Sequence, residues 1–168
     1  MMTNFGGEQS VAGTDVWLTP PDMVRALGKF DLDPCSAEVM PWELATNRYT
    51  EADDGLAQDW VGRVFMNPPY GRKLPPFLAK LADHGDGIAL VFARTETRAF
   101  FESVWPRADA IMFLKGRVKF YRPDGTQAGT SGSPSCLIAY GRANAAALAD
   151  SGLSGVFINL DGIFQGKS

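Results

Sequence analysis

The sequence predicts a single α/β domain, a largely parallel twisted sheet with helices on both faces. Three observations lead there. The chain has 168 residues, the usual size of one domain with one core. Short apolar runs, Ile88 to Ala93, Cys136 to Tyr140 and Val156 to Leu160, have the length and composition of buried strands. Segments with helical apolar spacing lie between the strands, and strands alternating with helices favour a parallel sheet.

Taken in order, residues 1–14 are polar, contain glycine and lack periodicity, so they read as a loose arm before a domain over 15–168. Thr19-Pro20-Pro21-Asp22 opens a helix: Thr19 is an N-cap candidate, Pro20 suits the first turn, and Met23, Val24 and Leu27 form the apolar face before Gly28. Phe30 to Cys35 is a strand that Pro34 ends. Residues 36–60, acidic and interrupted by Pro41, read as irregular with one turn of helix at most. Val61 to Met66 is a buried strand running into the stiff turn Asn67-Pro68-Pro69-Tyr70. A helix follows from Pro75 to Gly85, another after Thr95 or Thr97, strands near 109–114 and 117–121, and an Ala-rich helix near 143–150. Residues 122–134, rich in Gly, Ser, Thr and Pro, read as a loop, and His84 as a surface residue at a helix end.

Composition narrows the function. The chain is 45% hydrophobic and 21% charged, ordinary for a globular protein. No apolar run approaches the roughly 20 residues of a membrane span, and the first 15 residues lack the pattern of a secretory signal. Two cysteines, Cys35 and Cys136, and one histidine, His84, argue against a disulfide framework, a metal centre and a histidine triad. A reduced cytoplasmic protein is the simplest reading. The net charge of −3 hides a sorting: residues 1–60 carry eleven acids and three bases, residues 61–122 eleven bases and five acids. A basic middle segment suits a polyanionic partner, although scattered charges on a solvated face account for it equally well.

In open α/β sheets, ligands gather beyond the carboxyl ends of the strands. That rule brings Asp33-Pro34-Cys35, Asn67 to Tyr70 and Arg94-Thr95 to one rim. Asn67 offers a side-chain oxygen and Pro68 a carbonyl, two acceptors on a stiff bend that suit both hydrogens of an amino group on a planar ring. An exocyclic amine is a poor nucleophile because its lone pair is delocalised. Paired acceptors favour a tetrahedral nitrogen and aim that lone pair. Tyr70 supplies a flat face for a base outside the duplex. Asn67, Pro68, Pro69 and Tyr70 are therefore the catalytic candidates. The plainer alternative is a Pro-Pro strand end with a core tyrosine.

With these residues in view, the chain resembles the phage-type DNA N-6-adenine methyltransferases, a branch of the S-adenosylmethionine-dependent methyltransferases with a Rossmann-like sheet. The similarity spans about residues 15–141 and rests on Trp17-Leu18-Thr19-Pro20, Asp31 to Cys35, Asp54-Gly55-Leu56 followed by Trp60, Asn67 to Gly71, Arg94 to Thr97 and Gly116 to Phe120. It implies S-adenosyl-L-methionine as cofactor, with Trp17, Thr19 and Pro20 bordering its methionine end, Asp33, Pro34 and Cys35 beside its amino-acid part, Asp54 near its adenosine and Asn67 touching both ligands. A carboxylate at Asp33 independently suits an ammonium group, and equally a helix cap. Ser36-Ala37-Glu38 departs from the general signature, which has closely spaced glycines there.

Four bases within eight residues, Lys115, Arg117, Lys119 and Arg122, put Arg117, Lys119 and Tyr121 on one face if 117–121 is a strand. With Arg72, Lys73 and Arg94 they form the expected DNA contacts, and a charge-protected edge strand is the alternative use. The resemblance implies methyl transfer to adenine N-6 in DNA, without metal or membrane, in the bacterial host cytoplasm if phage-encoded, with protection against restriction as a natural role. A cytosine N-4, RNA or protein-glutamine acceptor, or a non-catalytic DNA-binding module, stays open. Oligomeric state and recognition sequence are not readable.

Overall fold

Alternation along the central strands builds the core. In the computed structural model, which describes residues 16–163, Val64–Met66 (β3) and Gly87–Phe92 (β4) are apolar on both faces. Val64, Met66, Ala89 and Val91 face one layer, Phe65, Ile88 and Leu90 the other. The first layer is covered by Leu74–His84 (α2) and Arg98–Ser103 (α3), through Phe77, Leu78, Leu81, Ala99 and Phe100. The second is covered by Pro21–Ala26 (α1) and Arg142–Ala149 (α4), through Val24 and Leu148. Helices thus lie on both faces, as expected. The arm expected over 1–14 lies outside the described residues.

The remaining strands are Leu32–Asp33 (β1), Asn47–Arg48 (β2), Ala110–Leu114 (β5), Lys119–Tyr121 (β6), Gln127–Thr130 (β7), Ser135–Tyr140 (β8) and Gly155–Asn159 (β9). Seven of them form one sheet in the order β2-β1-β3-β4-β8-β5-β9. The expectation of a largely parallel sheet is corrected. The pairs β1–β2, β1–β3 and β3–β4 are parallel, whereas β4–β8, β8–β5 and β5–β9 are antiparallel. A parallel step needs a long crossover. Between β5 and β8 the chain instead makes a hairpin of β6 and β7, so β8 returns against its neighbours.

That hairpin is a second correction, since residues 127–130, within the expected loop 122–134, form strand β7. Gly125 N–H donates to the Arg122 carbonyl (2.9 Å) and Thr126 N–H to Asp124 Oδ1 (2.9 Å), closing a turn over Arg-Pro-Asp-Gly. Segment 36–60 is mostly irregular with one 3-10 turn at Glu51–Asp53, as expected, and adds the two-residue strand β2. Thr19 is not the N-cap of α1: Pro20 occupies that position and no side chain caps the helix. His84 ends α2 half-buried, with Nε2 2.7 Å from the Gly62 carbonyl. Among the described residues no helix is long and apolar enough to cross a membrane, and no cluster of three or more His, Cys, Asp or Glu could hold a metal ion.

Candidate active site

Because β1, β3 and β4 are parallel neighbours, their carboxyl ends share one edge of the sheet, and Asp33, Asn67 and Phe92 stand there. Pro34 lacks an N–H and stops β1 after two residues. The two prolines after Asn67 end β3 in the same way and turn the chain so that the Tyr70 ring stacks on Phe92, centroids 4.3 Å apart at 11°. The tyrosine hydroxyl is buried without a partner, and burial pushes its ionisation well above the usual range.

Asn67 is held by its nitrogen. Nδ2 donates to the Trp17 carbonyl (3.2 Å), which leaves Oδ1 buried and without a partner. Pro68, next in chain, is buried as well. The Trp17–Thr19 segment is in turn clamped by the hairpin. Leu18 N–H donates to the Tyr121 carbonyl (2.8 Å) and Tyr121 N–H to the Leu18 carbonyl (3.0 Å), and the Trp17 ring lies edge-on to Phe120 at 6.4 Å. Thr19 is 1% exposed with Oγ1 unpaired.

Asp33 is 5% exposed. Burial raises its carboxyl to about 7, against the Cys35 N–H (3.2 Å from Oδ1), the Ser36 hydroxyl and Arg48, which favour the charged form. The Cys35 thiol is pushed up by burial and by Asp33, with a backbone hydrogen bond from Asn67 working against both. Gly55 approaches the Pro34 carbonyl so closely that a Cβ could not fit. This contact sets Asp54 beside the β1 end. Asp54 is exposed and left-handed (φ 52°), an uncommon state for a residue other than glycine. Its neighbour Asp53 is a cap, accepting from Thr50 N–H (2.8 Å) and Oγ1 (3.0 Å). Lys80 Nζ fixes this segment from behind through the Leu56 (2.7 Å) and Gln58 (2.5 Å) carbonyls.

The structure therefore joins Trp17 to Asn67, Asn67 to Cys35 and Cys35 to Asp33 through direct contacts. Thr19 and Pro20 are close by in chain after Trp17, Tyr70 lies three residues after Asn67 and is stacked on Phe92, and Asp54 is attached to Pro34 through Gly55. Arg72 and Lys73 follow in an exposed 3-10 turn, where Lys73 Nζ pairs with Glu51 Oε1 at 2.6 Å. Arg94 stands just beyond β4, exposed. Arg117 and Lys119 project from the hairpin, opposite the buried Val118 and Phe120, as alternation predicts.

Three features escape the sequence. Phe92 is the platform under Tyr70. Ser135, 1% exposed and directly across the ladder from Phe92, has an unpaired Oγ. Trp42 meets Tyr121 edge-on at 5.2 Å with its indole N–H unpaired. With Thr19 Oγ1, Asn67 Oδ1 and Tyr70 OH, these are the buried, unpaired side-chain polar atoms among the described residues. All lie on the carboxyl edge or on segments joined to it. An unmet buried polar atom costs about 1–3 kcal/mol, so such a concentration points to a ligand site.

A family model of DNA N-6-adenine-methyltransferases (Dam) matches residues 7–146. The chain belongs to this family. No curated protein and no solved structure matches it. The match covers the whole rim just described, from Trp17 to Ser135, and stops inside α4. The family carries a methyltransferase description acting on DNA, which agrees with a site made of acceptors and an aromatic platform.

Proposed function

We propose that the chain transfers a methyl group from S-adenosyl-L-methionine to the exocyclic N-6 amine of adenine in DNA, on a Rossmann-like methyltransferase scaffold. The observation that carries this reading is Asn67 Oδ1, buried and unpaired while its own amide nitrogen is tied to Trp17. An acceptor fixed in that way awaits a donor. Beside it, the Pro68 carbonyl is the second acceptor and Tyr70 the stacking surface.

The rim fits the cofactor. The Asp33 carboxylate would meet the ammonium of the methionine moiety, a charge-assisted contact that returns a buried carboxyl to its ionised state. Thr19 Oγ1 has a free hydroxyl for the same end, Trp17, Pro20, Pro34 and Cys35 wall it, and Asp54 stands toward the adenosine. The bound cofactor supplies an electrophilic methyl on a positively charged sulfur.

The chain's own residues do the rest. Phe92 covers one face of the Tyr70 ring, so the opposite face takes the extruded adenine. Asn67 Oδ1 and the Pro68 carbonyl accept the two amine hydrogens, draw the nitrogen toward a tetrahedral shape and leave its lone pair unbonded. A strong base is unnecessary, because the surplus proton leaves for water once the nitrogen has reacted.

Incubation with radiolabelled cofactor and adenine-containing DNA, followed by digestion to nucleosides, tests the reading. Label in N-6-methyladenine is the expected result. Label in cytosine, or cofactor binding with no transfer to DNA, would overturn it.

A further inference from the structure

Resting on the reading of the chain as a DNA methyltransferase, we propose that the DNA strand runs along one flank of the rim only, in a groove where Lys115, Arg117 and Lys119 hold its phosphates. The groove has a volume of about 280 Å³ and opens between the β6–β7 hairpin, the start of α1 and the end of β5. Pro20, Met23 and Leu114 contribute its apolar floor, and the three cations stand along it, exposed. An apolar floor with a cationic rim suits a sugar–phosphate backbone.

Charge pairing sorts most of the basic residues, Arg72 beside Lys73 being the exception without an ion pair among the described residues. On the other flank Lys73 pairs with Glu51 and Arg98 with Glu102. Lys115, Arg117 and Lys119 have no acidic partner among the described residues. The acid of the hairpin turn, Asp124, is occupied by the Thr126 N–H (2.9 Å) and hydroxyl (2.6 Å). Exposed Asp53 and Asp54 make the β1–β2 flank acidic, so a polyanion is steered away from it and onto the hairpin.

Position agrees with charge. Asn67 touches Trp17, and Pro20, three residues further on, lines the groove. That is at most about 11 Å of chain, or about three base steps along a strand at about 3.4 Å each. The mutual Leu18–Tyr121 backbone bonds fix the hairpin to the very segment that borders Asn67. Phosphates held on the hairpin therefore set where an extruded base meets the bend.

The test compares R117Q/K119Q with K29Q/R142Q, an equal charge loss at exposed residues on the opposite edge of the sheet. Binding of the full chain to a fluorescein-labelled duplex is measured across a range of sodium chloride concentrations, alongside methylation kinetics. We expect R117Q/K119Q to bind DNA at least tenfold more weakly near 0.1 M salt, with the log–log salt slope reduced by about two. Its KM for DNA should rise while kcat at saturating DNA and cofactor affinity stay within about threefold, which also shows that it folds. K115Q, on a separate segment, should lower the slope by about one. A slope unchanged in both groove variants, or matched by the control pair, would overturn the groove and leave methyl transfer intact. Wild-type protein that binds through the groove yet makes no methyladenine overturns the methyl-transfer reading instead.

Discussion

The two edges of the sheet treat buried polar groups in opposite ways. At the amino edge, where β3 and β4 begin and β8 ends, Asn144 is fully buried and both of its side-chain polar atoms are engaged. Its Oδ1 accepts from Arg63 Nε, and its Nδ2 donates to Asp86 Oδ1 (2.7 Å) and the Tyr140 carbonyl (2.8 Å). Arg63 also donates to the Lys29 (2.9 Å) and Leu27 (2.8 Å) carbonyls and lies over the Phe30 ring at 4.1 Å. Tyr140 OH donates to the Ser103 carbonyl at 2.6 Å. At the carboxyl edge Thr19, Asn67, Tyr70 and Ser135 hold buried polar atoms that are unpaired. A satisfied network holds a fold together, and an unsatisfied one is a standing cost that a bound ligand or an ordered water relieves. The difference separates scaffold from site without reference to any relative.

The comparison breaks if residues from the two edges respond alike. Arg63→Met should give the largest change in stability, a loss of about 3 kcal/mol in urea unfolding, because it strands Asn144 Oδ1 and two backbone carbonyls. Its activity per folded molecule should stay within about threefold of wild type. Asn67→Ala should do the reverse. Methylation should fall at least a hundredfold, about 2.7 kcal/mol in the barrier, with cofactor affinity within about tenfold and unfolding within about 1 kcal/mol. An Asn67→Ala enzyme with near-normal turnover would remove the alignment mechanism altogether.

Much of the site is readable in the sequence because its residues announce themselves locally. Asn67 to Tyr70 is stiff by covalent structure, Pro34 must end a strand, and Pro20-Pro21 must open a helix. The hairpin escapes for an equally local reason. Gln127 to Thr130 lacks apolar alternation and its burial comes from Ala128 alone, so composition speaks for a loop although Pro-Asp-Gly is itself a turn signal. The antiparallel half of the sheet follows from that same hairpin. Phe92 beneath Tyr70, Ser135 across from Phe92 and the loss of Thr19 as a cap are set by contacts between segments far apart in sequence. So is the pairing of Lys73 with Glu51. No periodicity records whether a buried oxygen has a partner, and that property distinguishes the edges.

Asp33 sharpens the comparison through pH. Its carboxyl is raised to about 7 by burial, so the folded free protein holds a proton there that the unfolded chain releases near 3.8. The favourable contribution of that proton to stability is complete below about 3.8 and is lost as pH rises through about 7. Asp33→Asn should therefore stabilise the free protein at pH 8, by on the order of 1–3 kcal/mol, and leave it unchanged near pH 4. Cofactor affinity of the wild type, measured by calorimetry, should climb close to tenfold per pH unit until about 7 and then level off. In Asp33→Asn the affinity should be weaker and nearly flat. A pH-independent wild type would mean that Asp33 does not face the cofactor's ammonium.

The smallest effects give the sharpest contrast, because the same atom is removed at both edges. Tyr140→Phe deletes a hydroxyl that donates at 2.6 Å and leaves the Ser103 carbonyl buried without that donor, which should cost about 1–2 kcal/mol. Tyr70→Phe deletes a hydroxyl that is buried with nothing to meet it, so the unfolding free energy should stay level or rise by up to about 1 kcal/mol. The aromatic ring that remains in Tyr70→Phe keeps its stack on Phe92, and methylation should remain within about fivefold. Opposite signs in two Tyr→Phe changes of identical chemistry would show that partnership, and not burial, divides the edges. Equal losses in both would show that the Tyr70 hydroxyl is already satisfied in solution, leaving the carboxyl edge with a weaker claim to an unmet ligand.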